Sequence, residues 1–233
     1  MADIQVDTPA GPIAAVLEMP AGEGPWPGVV IVHDAFGLNS DTVAIARRFA
    51  DQGYLALAPD LYSRGGMRKC VVGVFRALLG QSGVAVDDLL GAREYLFARE
   101  DATDSVGIVG FCMGGGFALL LSPRGFGASA PFYGVSPKDM EEALDGACPI
   151  VASYGKNDPS LIGAGRKLEK VLSDKGIPHD VKTYPGAGHS FANALPGNKT
   201  AAVLRRISGL GFKEEQAEDA FARVFDFFGR HLH

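Results

Sequence analysis

The chain has 233 residues, 47% hydrophobic and 21% charged, which is enough apolar material for a sizeable core and excludes a largely disordered protein. A net charge of −5 gives no basic excess for nucleic acid or an anionic membrane surface, and no run approaches the roughly 18 apolar residues that cross a bilayer. Three widely spaced cysteines, no basic-then-apolar leader and no Cys-x-x-Cys or His-x-x-x-His spacing predict reduced thiols, no metal site and a cytoplasmic, single-domain protein over 1–233.

Short apolar, β-branched runs predict strands at 13–19 and 28–33, the second continuously apolar through Val29, Val30, Ile31 and Val32, as in a sheet covered on both faces. Ile45, Ala46, Phe49 and Ala50 then share a helical face, and a strand follows at 54–58. The segment 63–83 has weak periodicity and reads as a surface excursion. Leu89, Ala92 or Arg93, and Leu96 mark a helix before the strand at 106–111, and another helix begins at about Met113. Strands follow at 128–133 and 149–154. Leu161, Ala164, Leu168, Val171 and Leu172 form the clearest stripe, with Gly176 placed to stop it. A strand at 180–184 precedes an unreadable stretch, 194–211. Ala217, Phe221, Val224, Phe225 and Phe228 define a final helix. Alternating strands and helices predict an α/β protein, a mostly parallel sheet with helices on both faces and ligands beyond the carboxyl ends of the strands.

The motif with most chemistry is Gly110-Phe111-Cys112-Met113-Gly114, a strand running through a tight turn into a helix. It has the form of a nucleophile elbow with Cys in place of Ser. Such a turn leaves no room for flanking side chains, strains the nucleophile and points a helix N-terminus at it, which favours a thiolate and a developing oxyanion. A small buried cysteine beside a turn is the competing reading. His189, in a Gly-rich loop after the last predicted strand, is the candidate base, against a solvated surface histidine. Asp158, after the strand at 149–154, is the candidate orienting acid, against an N-cap for the helix near Leu161. The order Cys112, Asp158, His189 is the order of hydrolases with this elbow. Oxyanion donors are expected from the N–H groups of Met113 and Phe36, the latter in the loop after the strand at 28–33, where Ser40 or Asp41 would cap the next helix. His231 and His233 are expected to fray. The residues predict a thiol-dependent hydrolase of activated carboxylic esters or lactones. The alternatives are a non-catalytic scaffold that binds ligands and a redox-sensing thiol.

Gly110-Phe111-Cys112-Met113-Gly114-Gly115, Ala187-Gly188-His189-Ser190-Phe191, Pro59-Asp60-Leu61-Tyr62 and Phe132-Tyr133-Gly134 together resemble the dienelactone hydrolase (carboxymethylenebutenolidase) family over roughly 28–194. The resemblance implies an α/β-hydrolase fold, a Cys112-Asp158-His189 triad, a small ester or lactone substrate that includes dienelactone, no cofactor, and a monomer or weak homodimer. It also places Asp34 where the family has a thiol-interacting Glu, and Asn193 where it has an Arg that anchors the substrate carboxylate. Arg68 or Arg76 would be a second anchor, and Tyr133 a further site residue, against packing in the core.

Overall fold

A computed structural model describes residues 2–194 and 211–232. Apart from its two ends, the unreadable stretch 194–211 lies outside these residues, as does His233. In chain order the first elements are β1 (Ala2–Val6), β2 (Ile13–Glu18), β3 (Trp26–Val32), α1 (Ser40–Ala50), β4 (Leu55–Pro59), α2 (Met67–Gly80), α3 (Val84–Phe97) and β5 (Ala102–Phe111). There follow α4 (Met113–Leu121), β6 (Ala128–Phe132), α5 (Met140–Ala143), β7 (Ile150–Gly155), α6 (Ala164–Asp174), β8 (His179–Tyr184) and α7 (Glu214–His231). The eight strands form one sheet in the order β1-β2-β4-β3-β5-β6-β7-β8. β1 and β2 are antiparallel to their neighbours, and every later pairing is parallel.

The continuously apolar β3 is buried on both faces, as its sequence requires. Val30 and Val32 join a core with Leu78 of α2, Leu89 of α3 and Leu120 of α4. Val29 and Ile31 point the other way, to Phe49 of α1 and Phe228 of α7. Leu168 and Leu172 of α6 cover Ile150 and Ala152 of β7. The terminal helix docks as its spacing predicts: Ala217, Phe221, Val224 and Phe228 are buried, while Phe225 is half-buried beside Phe49. His231 closes that helix with its ring 4.5 Å from Phe227 rather than fraying.

Three elements differ from the sequence expectation. α5, a single turn between β6 and β7, has no predicted counterpart. β1 is an edge strand whose polar Asp3 and Gln5 face solvent, so it carries no apolar run. The segment 63–83 is not an irregular excursion but contains α2. Val74, Ala77 and Leu78 of α2 are buried while Met67, Val72 and Leu79 are exposed, so apolar residues surround the helix and blur its period. Leu78 packs so closely on α4 that a Cβ on Gly116 would lie 2.9 Å from it.

Chain order reverses about β3, which has β4 on one side and β5 on the other. The turns beyond β3, β5, β6, β7 and β8 share one rim of the sheet, where such folds bind ligands.

Candidate active site

The turn after β5 is built by what its glycines lack. A Cβ on Gly110 would lie 2.0 Å from the Gly114 carbonyl oxygen, and one on Gly114 would lie 2.3 Å from that of Val32. The bare backbone therefore lets the first turn of α4 sit against both β5 and β3. Between them Cys112 is held at φ 55°, ψ −112°, left-handed backbone that a non-glycine residue seldom adopts. Its N–H donates to Phe132 O (3.0 Å) and its carbonyl accepts from Gly116 N–H (3.1 Å). The thiol is half-buried. The Met113 N–H, at the first position of α4, has no acceptor among the described residues, as the opening of a helix leaves it.

Beyond β7, Asp158 is only 1% exposed. It does not cap α6, whose N-cap is Gly163. Its Oδ1 accepts from Ser160 N–H and Oγ (2.9 and 2.5 Å), and its Oδ2 accepts from His189 Nδ1 (2.6 Å). The loop after β8 reaches across β7 because Gly155 has no side chain: a Cβ there would lie 2.5 Å from Gly188 O. Asn157 N–H donates to Ala187 O (2.8 Å) and holds that crossing. With Nδ1 committed to Asp158, Nε2 is the ring nitrogen left for Cys112, whose thiol lies near enough to influence the imidazole. Burial alone would depress the imidazole pKa, but the bond to Asp158 and the nearby Cys112 outweigh it and push it up to about 10. Burial would likewise raise Asp158, yet its bonds to His189 and Ser160 hold it below the usual carboxylate range.

In the turn after β3, Asp34 Oδ1 accepts from Phe36 N–H (2.8 Å). The expected oxyanion donor Phe36 is thus committed to Asp34, and its side chain is exposed. The Ala35 N–H, one residue earlier, has no acceptor among the described residues. Sequence could not mark Ala35, since any residue except proline offers an N–H. His33 braces this turn: its Nδ1 lies 2.6 Å from Asp34 O, and its Nε2 accepts from Leu61 N–H (3.2 Å). Burial depresses the His33 pKa, so the ring is neutral and structural. Asn39, not Ser40 or Asp41, caps α1, with Oδ1 accepting from Asp41 and Thr42 N–H.

Burial pushes the Asp34 pKa up to about 6, opposed by the Phe36 N–H and assisted by the nearby Asp41 charge. A raised carboxyl pKa stabilises the fold below the unfolded value and loses that contribution as pH rises through about 6. Asp34→Asn keeps an acceptor for Phe36 and removes the buried charge. Denaturant titration is expected to show it more stable than wild type by up to about 3 kcal/mol at pH 8 and nearly equal at pH 4. A gain equal at both pH values would count against this origin.

The other expected site residues separate. Tyr133 and Asn193 are brought together and buried, with the Tyr133 hydroxyl donating to Asn193 Oδ1. Asn193 Nδ2 donates to Asp41 Oδ2 (2.8 Å), so Asn193 is a buried link and its amide is not free for a substrate. Arg68 is exposed on α2. Arg76, also exposed, lines a cleft of about 340 Å³ with Leu61, Arg64, Cys70 and Val84, none of them triad residues. From sequence Asp41 reads as a candidate helix cap, because its partner Asn193 lies 152 residues away.

Among the described residues no cluster of three or more His, Cys, Asp or Glu side chains could hold a metal, and no single helix is long and apolar enough to cross a membrane. The dienelactone hydrolase family model matches residues 13–232. The putative carboxymethylenebutenolidase of Saccharolobus solfataricus is 28% identical, with 98% of each chain covered. The carboxymethylenebutenolidase of a Pseudomonas species is 28% identical over 86% of this chain and 93% of its own. The crystal structure of a putative dienelactone hydrolase from Klebsiella pneumoniae superposes with a TM-score of 0.79 at 24% identity, covering 98% of each chain. The fold is the α/β-hydrolase fold.

Proposed function

The chain belongs to the dienelactone hydrolase family, and from that premise we propose that it hydrolyses carboxylic esters or lactones through Cys112, with His189 as base and acid and Asp158 as its orienting carboxylate. The observation that carries this reading is Cys112 at a strained strand-to-helix turn, beside a His189 whose Nδ1 is bonded to the buried Asp158.

The Cys112 sulfur, its proton held by His189 Nε2, attacks the carbonyl carbon. The C–S bond forms as the carbonyl electron pair moves to oxygen, where the Met113 and Ala35 N–H groups face the developing charge. Collapse breaks the C–O bond, and His189 Nε2 gives its proton to the departing oxygen. Water then attacks the thioester and gives a proton to His189. The C–S bond breaks, and the acid product leaves a thiolate and imidazolium. Thiolate is itself a good leaving group, so substrates whose alkoxide departs easily, such as enol lactones and aryl esters, suit it best. Asn193 carries no charge and faces Asp41, so it gives a substrate carboxylate no cation. Activated neutral esters are expected to turn over faster than dienelactone.

The test combines alkylation with turnover. Limiting iodoacetamide should label Cys112 first. Cys148 should lag, its thiol pushed up to about 12 by burial. Ultraviolet assays with p-nitrophenyl acetate and with cis- and trans-dienelactone should show turnover that falls in step with that labelling. Fast labelling at Cys70 or Cys148 that leaves Cys112 untouched would overturn the assignment.

A further inference from the structure

Against the ring of His189 lies a buried polar chain that the mechanism does not use. Tyr133 follows β6 and is fully buried. Its backbone sits at φ 40°, a costly conformation that persists only when the surroundings hold it. Its N–H donates to Ser153 O (2.8 Å) and its hydroxyl to Asn193 Oδ1. Between these anchors its ring packs against the imidazole of His189, with centroids 5.1 Å apart, and against Phe191 at 5.4 Å.

Asn193 is 4% exposed and its amide is spent on both sides, by Tyr133 and by Asp41 Oδ2. Asp41 Oδ1 accepts from Ala194 N–H (3.1 Å). Both oxygens of one carboxylate on α1 therefore grip the far end of the His189 loop, a loop with left-handed residues at Gly186 and Ser190. The near end is held by Asn157 N–H on Ala187 O. His189 lies between the two grips.

We infer that Asp41, through Asn193 and Tyr133, is a positioning residue for His189: it fixes the imidazole on the line from Asp158 to Cys112. The inference rests on the reading of His189 as the catalytic base. It gives the residue at 193 a task other than meeting substrate, and makes the first turn of α1 part of the machinery. The titratable groups around His189 are Asp158, Cys112, the more distant Asp34 and Tyr133, whose ring packs on the imidazole.

The experiment follows p-nitrophenyl acetate hydrolysis across pH in Tyr133→Phe, Asn193→Ala and Asp41→Asn, with His189→Ala in parallel. Freeing the loop is expected to lower kcat by roughly 10²-fold in Asn193→Ala, with KM unchanged. Because the bond to Asp158 helps raise the imidazole pKa, loosening it should move the alkaline limb of kcat/KM toward neutrality. Tyr133→Phe keeps the ring that packs the core, so it should fold and show the same changes in smaller measure even if Asn193→Ala does not fold. Variants with lowered melting temperature but wild-type kcat and alkaline limb would overturn the inference. Full activity in His189→Ala would instead overturn the base assignment itself. An inactive His189→Ala beside wild-type behaviour in the other three would refute the positioning role alone.

Discussion

Replacing Cys112 by alanine is expected to abolish ester hydrolysis, with kcat falling roughly 10⁶-fold, the scale seen when a hydrolase loses its nucleophile. In the proposed mechanism the residue that disappears is the one that bonds to the substrate, so neither His189 nor the proposed oxyanion donors can carry the acyl group without it. What remains is the modest catalysis of oriented N–H groups and bound water. Folding should hardly change: alanine at φ 55° is strained as cysteine is. Steady-state turnover of p-nitrophenyl acetate, with a thermal melt of the same sample, separates the two effects. A folded Cys112→Ala protein retaining even a tenth of wild-type kcat would rule out the thiol as nucleophile.

Gly110→Ala is expected to be the most damaging single-methyl change at the same turn, for a different reason. The added carbon would lie 2.0 Å from Gly114 O, 2.2 Å from Gly114 C and 2.8 Å from Gly115 N, all backbone. No rotamer relieves that overlap, so the first turn of α4 must move. Its way is blocked: Gly114 rests against Val32 and His33, and Gly115 against Phe132 and Gly134. Overpacking of this kind costs more than about 3 kcal/mol. The protein should be recovered largely insoluble, or should melt far below wild type, with whatever folds having lost its activity through displacement of Cys112. Gly73→Ala is the control. Gly73 lies inside α2 with open space about its Cα, so alanine there should stabilise by about 1 kcal/mol through helix propensity. Calorimetry of the two variants side by side decides the matter, and equal melting temperatures would refute the steric account.

What the sequence discloses about this site is what local covalent chemistry dictates. The elbow glycines, the continuous apolar β3 and the succession of 112, 158 and 189 are features of short segments, and each predicted strand of the parallel sheet lies within a few residues of an observed one. What it hides depends on partners distant in the chain. α2 has apolar residues on every side because it packs on α4 beneath and leaves Met67, Val72 and Leu79 exposed above. One Asp34 hydrogen bond takes up the Phe36 N–H, and backbone donors leave no trace in side-chain identity. Asn193 reads as a site residue by its nearness to His189, yet its partners, Tyr133 and Asp41, come from other elements.

The strand order carries a further consequence for how such a protein comes into being. Synthesis delivers residue 112 first, the proposed orienting acid 46 positions later and the proposed base later still, in the loop after β8, the edge strand opposite β1. A nascent chain that has passed the elbow already holds the thiol but has nothing to draw off its proton. On this reading, reactivity is withheld until the last strand joins the sheet, so that a truncated translation product, however well its first strands have paired, is chemically quiet.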